Sequence, residues 1–96
     1  MDHFSKDFEV LEANSELLKA LAHPVRLCIV KGLIENGPCN VSNMHNCLNL
    51  PQSTVSQHVS KLRSAGILKG FRNGTEIVYE ICDKKVESIV KAMFEI

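Results

Sequence analysis

The sequence predicts a mainly α-helical domain with one small β-hairpin near its C-terminal end. Three observations lead there. Apolar residues recur at helical spacing, broken by clear stop signals, as far as Ala65. The period then changes over Ile67–Arg72 and Glu76–Ile81, two β-rich runs with Asn73-Gly74 between them, a pair that suits a tight hairpin turn. Finally, Val86, Ile89, Val90 and Met93 fall on one stripe of a last helix, with Asp83 placed to cap it. At 96 residues, 45% hydrophobic and 23% charged, the chain has the balance of one folded domain.

Phe4, Phe8, Leu11, Leu17, Leu18 and Leu21 put a first helix at about residues 5–21. His23-Pro24 interrupts it, and Pro24 fits the first turn of a second helix because its missing N–H would have no partner there. Val25, Cys28, Ile29 and Leu33 carry that helix to about Glu35, where Asn36-Gly37-Pro38 stops it. A short third helix is expected over about Val41–Leu48, with Val41, Met44 and Leu48 inward. After the turn Asn49-Leu50-Pro51, a fourth runs from about Gln52 to Ala65, ended by Gly66. Two helices joined by a short turn and followed by a hairpin make a winged helix-turn-helix, in the order α-α-α-α-β-β-α, as a single domain over residues 1–96.

The longest strictly apolar run, Leu27–Val30, is far short of the roughly 20 residues a membrane span needs, and Met1–Lys6 lack the apolar stretch of a secretion signal. A cytoplasmic protein without a membrane partner is therefore expected. Net charge is zero, but it is unevenly spread. Residues 1–35 and 76–96 each sum to −2, whereas residues 36–75 contain no Asp or Glu and carry Lys61, Arg63, Lys69 and Arg72. A local positive surface steers a polyanion whatever the total charge.

The fourth helix sharpens that reading. At about 100° per residue, Val55, Val59 and Leu62 cluster on one side, and Ser53, Gln57, Ser60, Lys61 and Ser64 lie opposite. Small hydroxyls, one amide and one amine, with no carboxylate, suit a helix in the major groove: Gln pairs with adenine, Lys reaches guanine or phosphate, and Ser crowds neither. A merely solvated face would usually mix Glu with Lys. The wing tip around Arg72 and Asn73, with Lys69 behind it, would lie along the adjacent backbone or minor groove.

Glu16-Leu-Leu-Lys-Ala-Leu-Ala-His-Pro-Val-Arg-Leu27, Leu50-Pro-Gln-Ser-Thr-Val-Ser-Gln-His58, Lys61-Leu-Arg63, Ala65-Gly-Ile-Leu68 and the wing end Tyr79-Glu-Ile81 together resemble the ArsR/SmtB family over about residues 10–94. The resemblance implies a homodimeric repressor that binds a double-stranded DNA operator with dyad symmetry, leaves it when an inducer binds, and pairs through its first and last helices. It also implies DNA contacts at Gln52, Ser53, Ser56 and Gln57, and gives His58 either a phosphate or a place between helices. Thr54 and Arg63, on the same helix, complete the candidate DNA-contacting set.

Inducer sites of that family are not reproduced. Its soft-metal signature Glu-Leu-Cys-Val-Cys falls on a stretch where the two cysteine positions are Asn40 and Ser42, with Cys39 one residue away, a turn of about 100° on a helix. Its zinc-type site needs Asp-x-His on the last helix; Asp83 fits, but Lys85 holds the histidine position. No metal and no cofactor are expected. The inducer class is left between a thiol-reactive compound and a metal, and the thiols available are Cys28, Cys39, Cys47 and Cys82. Cys28 sits in an apolar stripe and reads as core, and Cys47 reads as buried on the core side of the third helix. Cys39 lies near a helix start, where the dipole lowers a thiol pKa. Cys39–Cys47 and Cys28–Cys82 are the candidate dithiols. Among the histidines, His23 reads as a cap or packing residue, His45 as partly inward, and His3 as a remote candidate for bridging two copies.

Two other classes compete. A winged helix can serve protein contact without any inducer site, which the carboxylate-free stretch disfavours. An enzyme would need a nucleophile–base pair, a phosphate loop or a complete metal constellation, and the sequence offers none.

Overall fold

The computed structural model describes residues 7–96, the side chain of Asn46 excepted. Phe4 and His3 lie outside these residues, as does the start of the expected first helix. The elements are α1 Phe8–Leu21, α2 Pro24–Asn36, β1 Cys39–Asn40, α3 Val41–Leu48, α4 Gln52–Ser64, β2 Leu68–Asn73, β3 Glu76–Ile81 and α5 Lys84–Phe94. Comparison with α-α-α-α-β-β-α shows one addition. β1 pairs antiparallel with β3, Cys39 opposite Tyr79 and Asn40 opposite Val78, so the hairpin becomes a three-stranded sheet in the order β1-β3-β2. Two residues carry no readable period, and their partner lies far along the chain, so nothing local announces this strand.

Side chains punctuate the helices where the sequence placed its stops. His23 Nδ1 accepts from the Val25 N–H at 3.1 Å and Pro24 takes the first turn of α2. Asn40 Oδ1 accepts from the Asn43 N–H at 2.8 Å to cap α3, and Asp83 Oδ1 accepts from the Val86 N–H at 3.0 Å to cap α5. α4 ends in a Schellman arrangement: the Ile67 N–H donates to Leu62 O and the Gly66 N–H to Arg63 O, both at 3.0 Å. Gly66 has φ 82°, a left-handed conformation that a side chain would strain. This reversal launches β2 directly from the end of α4.

Leu68 to Asn73 pair with Ile81 to Glu76 in unbroken register. Asn73 therefore belongs to the ladder, and the loop is Gly74-Thr75, one residue later than the Asn-Gly pair suggested. Only Gly74 of the two has positive φ, 70°, which is the type II′ pattern. Gly70 is also required: a Cβ there would stand 2.9 Å from Ile77 Cγ2 and 3.0 Å from Tyr79 Cε1.

Ile29, Val30, Leu33, Met44, Val55, Val59, Leu62, Ile67, Leu68, Val86 and Val90 fill one core beneath the sheet and helices. Cys28 is not among them; it is exposed. The buried face of α2 is Arg26, Ile29, Val30 and Leu33, a regular i, i+3, i+4, i+7 set. The sequence pattern chose the neighbouring stripe because a charged residue stood at the first inward position. Phe8, Val10, Leu11 and Leu18 of α1 and Ile89, Met93 and Phe94 of α5 stay exposed.

Candidate nucleic-acid interface

α3 and α4 are joined by a tight turn. Asn49 takes the left-handed conformation, φ 56° and ψ 42°, its N–H donates to His45 O at 3.0 Å, and the His45 ring bonds Leu50 O. Pro51 then starts α4 without a side-chain cap and without an acidic residue in the first turn. Such a start leaves N–H groups and the positive end of the helix dipole for an anion.

Val55, Val59 and Leu62 seal α4 to the core, at 0–2% exposure. Gln52, Ser53, Ser56, Gln57, Ser60, Lys61, Arg63 and Ser64 are all exposed. The outward arc is thus continuous along the helix and holds no carboxylate. Thr54 and His58 differ: both are half-buried on its flank. On the wing, Lys69, Arg72 and Asn73 are exposed. Lys69 faces Glu80 across the strands, with Nζ 3.4 Å from Oε1, so its charge is partly spent within the wing. Arg72 stands opposite Ile77 and, like Lys61 and Arg63, has no ion pair among the described residues.

His58 is held at the junction of α1, α2 and α4. The Arg26 guanidinium is buried; its Nε donates to Ala20 O at 2.5 Å and its Nη1 donates to His58 Nδ1 at 3.2 Å. The His23 ring lies against that of His58, centroids 4.4 Å apart. Burial first, then the charges of His23, Arg26 and Lys61, push the His58 pKa below its ordinary value. A neutral ring accepting from Arg26 is what this geometry requires. Of the two roles the resemblance left open, the position between helices matches these contacts. Nothing in the sequence marks Arg26 as the anchor, since a charge inside a helical pattern ordinarily points outward.

A second tie links helices and wing. Asn40, which caps α3 through its Oδ1, donates from Nδ2 to Glu76 Oε2 on β3 at 2.8 Å. Of the two candidate dithiols, Cys39 and Cys47 lie near one another, whereas Cys28 and Cys82 are apart. Cys28, Cys39 and Cys47 meet around one pocket, and Cys82 lies elsewhere, its Sγ 3.2 Å from Gly66 O. Cys28 and Cys47 are exposed rather than buried. Cys39 is half-buried, and burial followed by the nearness of Cys47 pushes its thiol up, with only a smaller lowering from the Met44 backbone. The helix-start argument for a lowered Cys39 pKa therefore fails, because desolvation outweighs it.

This arrangement matches known proteins. A family model described as a helix-turn-helix domain covers residues 21–70. The transcriptional repressor PagR of Bacillus anthracis is 47% identical over 87 residues, spanning 91% of this chain and 87% of PagR. The chain belongs to the ArsR/SmtB family of winged helix-turn-helix transcriptional repressors. The ArsR/SmtB relatives include the repressor SmtB of Mycobacterium tuberculosis, 44% identical over 82 residues, 85% of this chain and 60% of SmtB. The crystal structure of PagR superposes with a TM-score of 0.84, covering 91% of this chain and 99% of that one. A homodimeric winged helix-turn-helix DNA-binding domain from Mycobacterium bovis, solved by NMR and described as a possible ArsR-family regulator, gives 0.83 at 25% identity, covering 92% and 81%. The chain is thus a DNA-binding repressor of this ArsR/SmtB type.

Proposed function

We propose that the chain represses transcription as a cytoplasmic homodimer, laying two copies of α4 into successive major grooves of a pseudo-palindromic operator. One observation carries this: the whole outward arc of α4, from Gln52 to Ser64, is exposed, polar and free of carboxylates. Gln57 reads a base edge, Ser53, Ser56 and Ser60 approach the backbone closely, and Lys61 and Arg63 neutralise phosphates. Arg72 extends the contact from the wing, and Asn73 stands beside it; Lys69 contributes less because of Glu80.

The second copy is supported by the other exposed feature. Phe8, Val10, Leu11 and Leu18 on α1 and Ile89, Met93 and Phe94 on α5 expose an apolar surface that a copy of the same chain would cover. Half-sites about one helical turn apart, roughly 34 Å, then demand one fixed spacing of the two α4 helices. An inducer that favours a different spacing releases both half-sites together. No catalytic role is assigned to any residue.

Salt titration of duplex binding tests the reading. Log affinity should fall linearly with log salt, at a slope of about −0.9 for each phosphate neutralised. Salt-insensitive binding, or none to any duplex, contradicts it.

A further inference from the structure

A pocket of about 240 Å³ opens between α2 and α3. Ile29, Leu33, Met44 and Leu48 give it an apolar wall, and no charged side chain lines it. Three of the four thiols meet there from three elements: Cys28 from α2, Cys39 from β1 and Cys47 from α3. Cys28 and Cys47 are exposed at its rim, whereas Cys39 is drawn further in. Asn36 and Asn43 add two amides to the lining but no charge, and among the described residues these thiols do not form a cluster able to hold a metal. What the pocket offers is an apolar seat beside soft nucleophiles. The volume is below the roughly 300–1,000 Å³ of sites for drug-sized ligands, so the occupant is small.

We propose that this pocket binds and is alkylated by a small, neutral, largely apolar α,β-unsaturated carbonyl compound, captured by a rim thiol, Cys28 or Cys47. The thiol loses its proton to water. The thiolate pair forms a C–S bond at the β-carbon, the C=C π pair moves into the enolate, and the enolate takes up a proton. No oxidant or leaving group is needed. Cys39, set deeper and with its thiol pushed up by burial, is a wall of the site and not its nucleophile.

The place of the pocket gives the adduct a consequence. α3 is the first helix of the helix-turn-helix, and its cap Asn40 is bonded to Glu76 of the wing. A group wedged between α2 and α3 displaces α3 and, through the turn at Asn49, α4. The inference names the class of inducer for the proposed repressor and rests on that reading for its effect on DNA. The site itself stands apart from it.

Labelling the full-length chain with N-phenylmaleimide or N-(2-hydroxyethyl)maleimide separates the two levels. Cys82, exposed but outside the pocket, is the internal reference. Peptide mass spectrometry should give a ratio of rim-thiol to Cys82 labelling about tenfold higher with the phenyl reagent, the gain from sinking roughly two methylenes' worth of apolar surface. Gly32→Leu should erase that gain, because Gly32 lines the pocket, sits in α2, and a Cβ there meets nothing within 4 Å. Equal ratios with both reagents, or a gain that survives Gly32→Leu, would overturn the site. Duplex affinity should drop at least about tenfold on phenyl labelling, and the Cys28→Ser/Cys47→Ser double variant should keep its affinity under the same treatment. Loss that persists in the double variant overturns the inducer role. An untreated chain that binds no duplex instead removes the proposed function, while the labelling ratio still decides the site.

Discussion

The outward arc of α4 and the exposed face of α1 and α5 are both open to solvent and chemically opposite. On α4 the exposed positions are Ser, Gln, Lys and Arg. On α1 and α5 they include Phe8, Val10, Leu11, Leu18, Ile89, Met93 and Phe94. The first surface is well solvated as it stands and gains only from a polyanion; the second costs free energy in water until something apolar covers it. Exposure alone is thus no guide to function in this chain. On the proposed function α4 reads DNA and α1/α5 pair two copies, and the contrast makes each surface breakable without touching the other.

The largest effect is expected from the apolar side. Leu11→Asp together with Met93→Asp should leave a monomer by sedimentation and cut affinity for a two-half-site duplex by about a hundredfold or more, since the second half-site is no longer bound intramolecularly. Folding should survive, because both side chains are exposed at 55% or more in one copy. Next comes Gln57→Ala, which should cost roughly 1–3 kcal/mol of specific affinity and relax preference at one base pair, as read by competition with single-base variants of the site. Arg72→Ala should weaken all duplexes evenly, by a smaller factor, and flatten the log–log salt slope by about one unit. If Gln57→Ala changed only the salt slope and Arg72→Ala only the sequence preference, the division between reading helix and wing would be reversed.

The smallest effect concerns the joint between the two surfaces. His58 accepts from Arg26, and its pKa is held below the ordinary 6.5. The folded state therefore takes up this proton less readily than the unfolded one. The stability tied to the neutral ring is fully present above about 6.5 and is lost as the pH falls below it towards the folded-state pKa. The groups facing His58 are His23, Arg26 and Lys61. Thermal melts should show Tm falling with acidification in the natural chain, with a shallower fall in His58→Gln, whose amide oxygen can accept from Arg26 without titrating.

Much of this was legible beforehand. Helix stops at Pro24, Gly37 and Gly66 and caps at His23 and Asp83 act locally, and local chemistry is written locally. The inward set Val55, Val59 and Leu62 followed from helical angle alone. What stayed hidden depended on distant partners. β1 exists because Tyr79 and Val78 lie beside it. Arg26 turns inward because Ala20 O and His58 receive it, and that inversion put Cys28 one stripe off, on the pocket instead of in the core. For Cys39 two local rules conflicted, and only the surroundings show burial winning over the helix start.

Selection of bound sequences from random duplexes, followed by hydroxyl-radical footprinting of the winner, addresses the pairing of two α4 helices on DNA most directly. The enriched sequence should be an inverted repeat, protected in two equivalent patches about one helical turn, or 10 base pairs, apart. A single asymmetric patch, or no enrichment at all, would contradict the account.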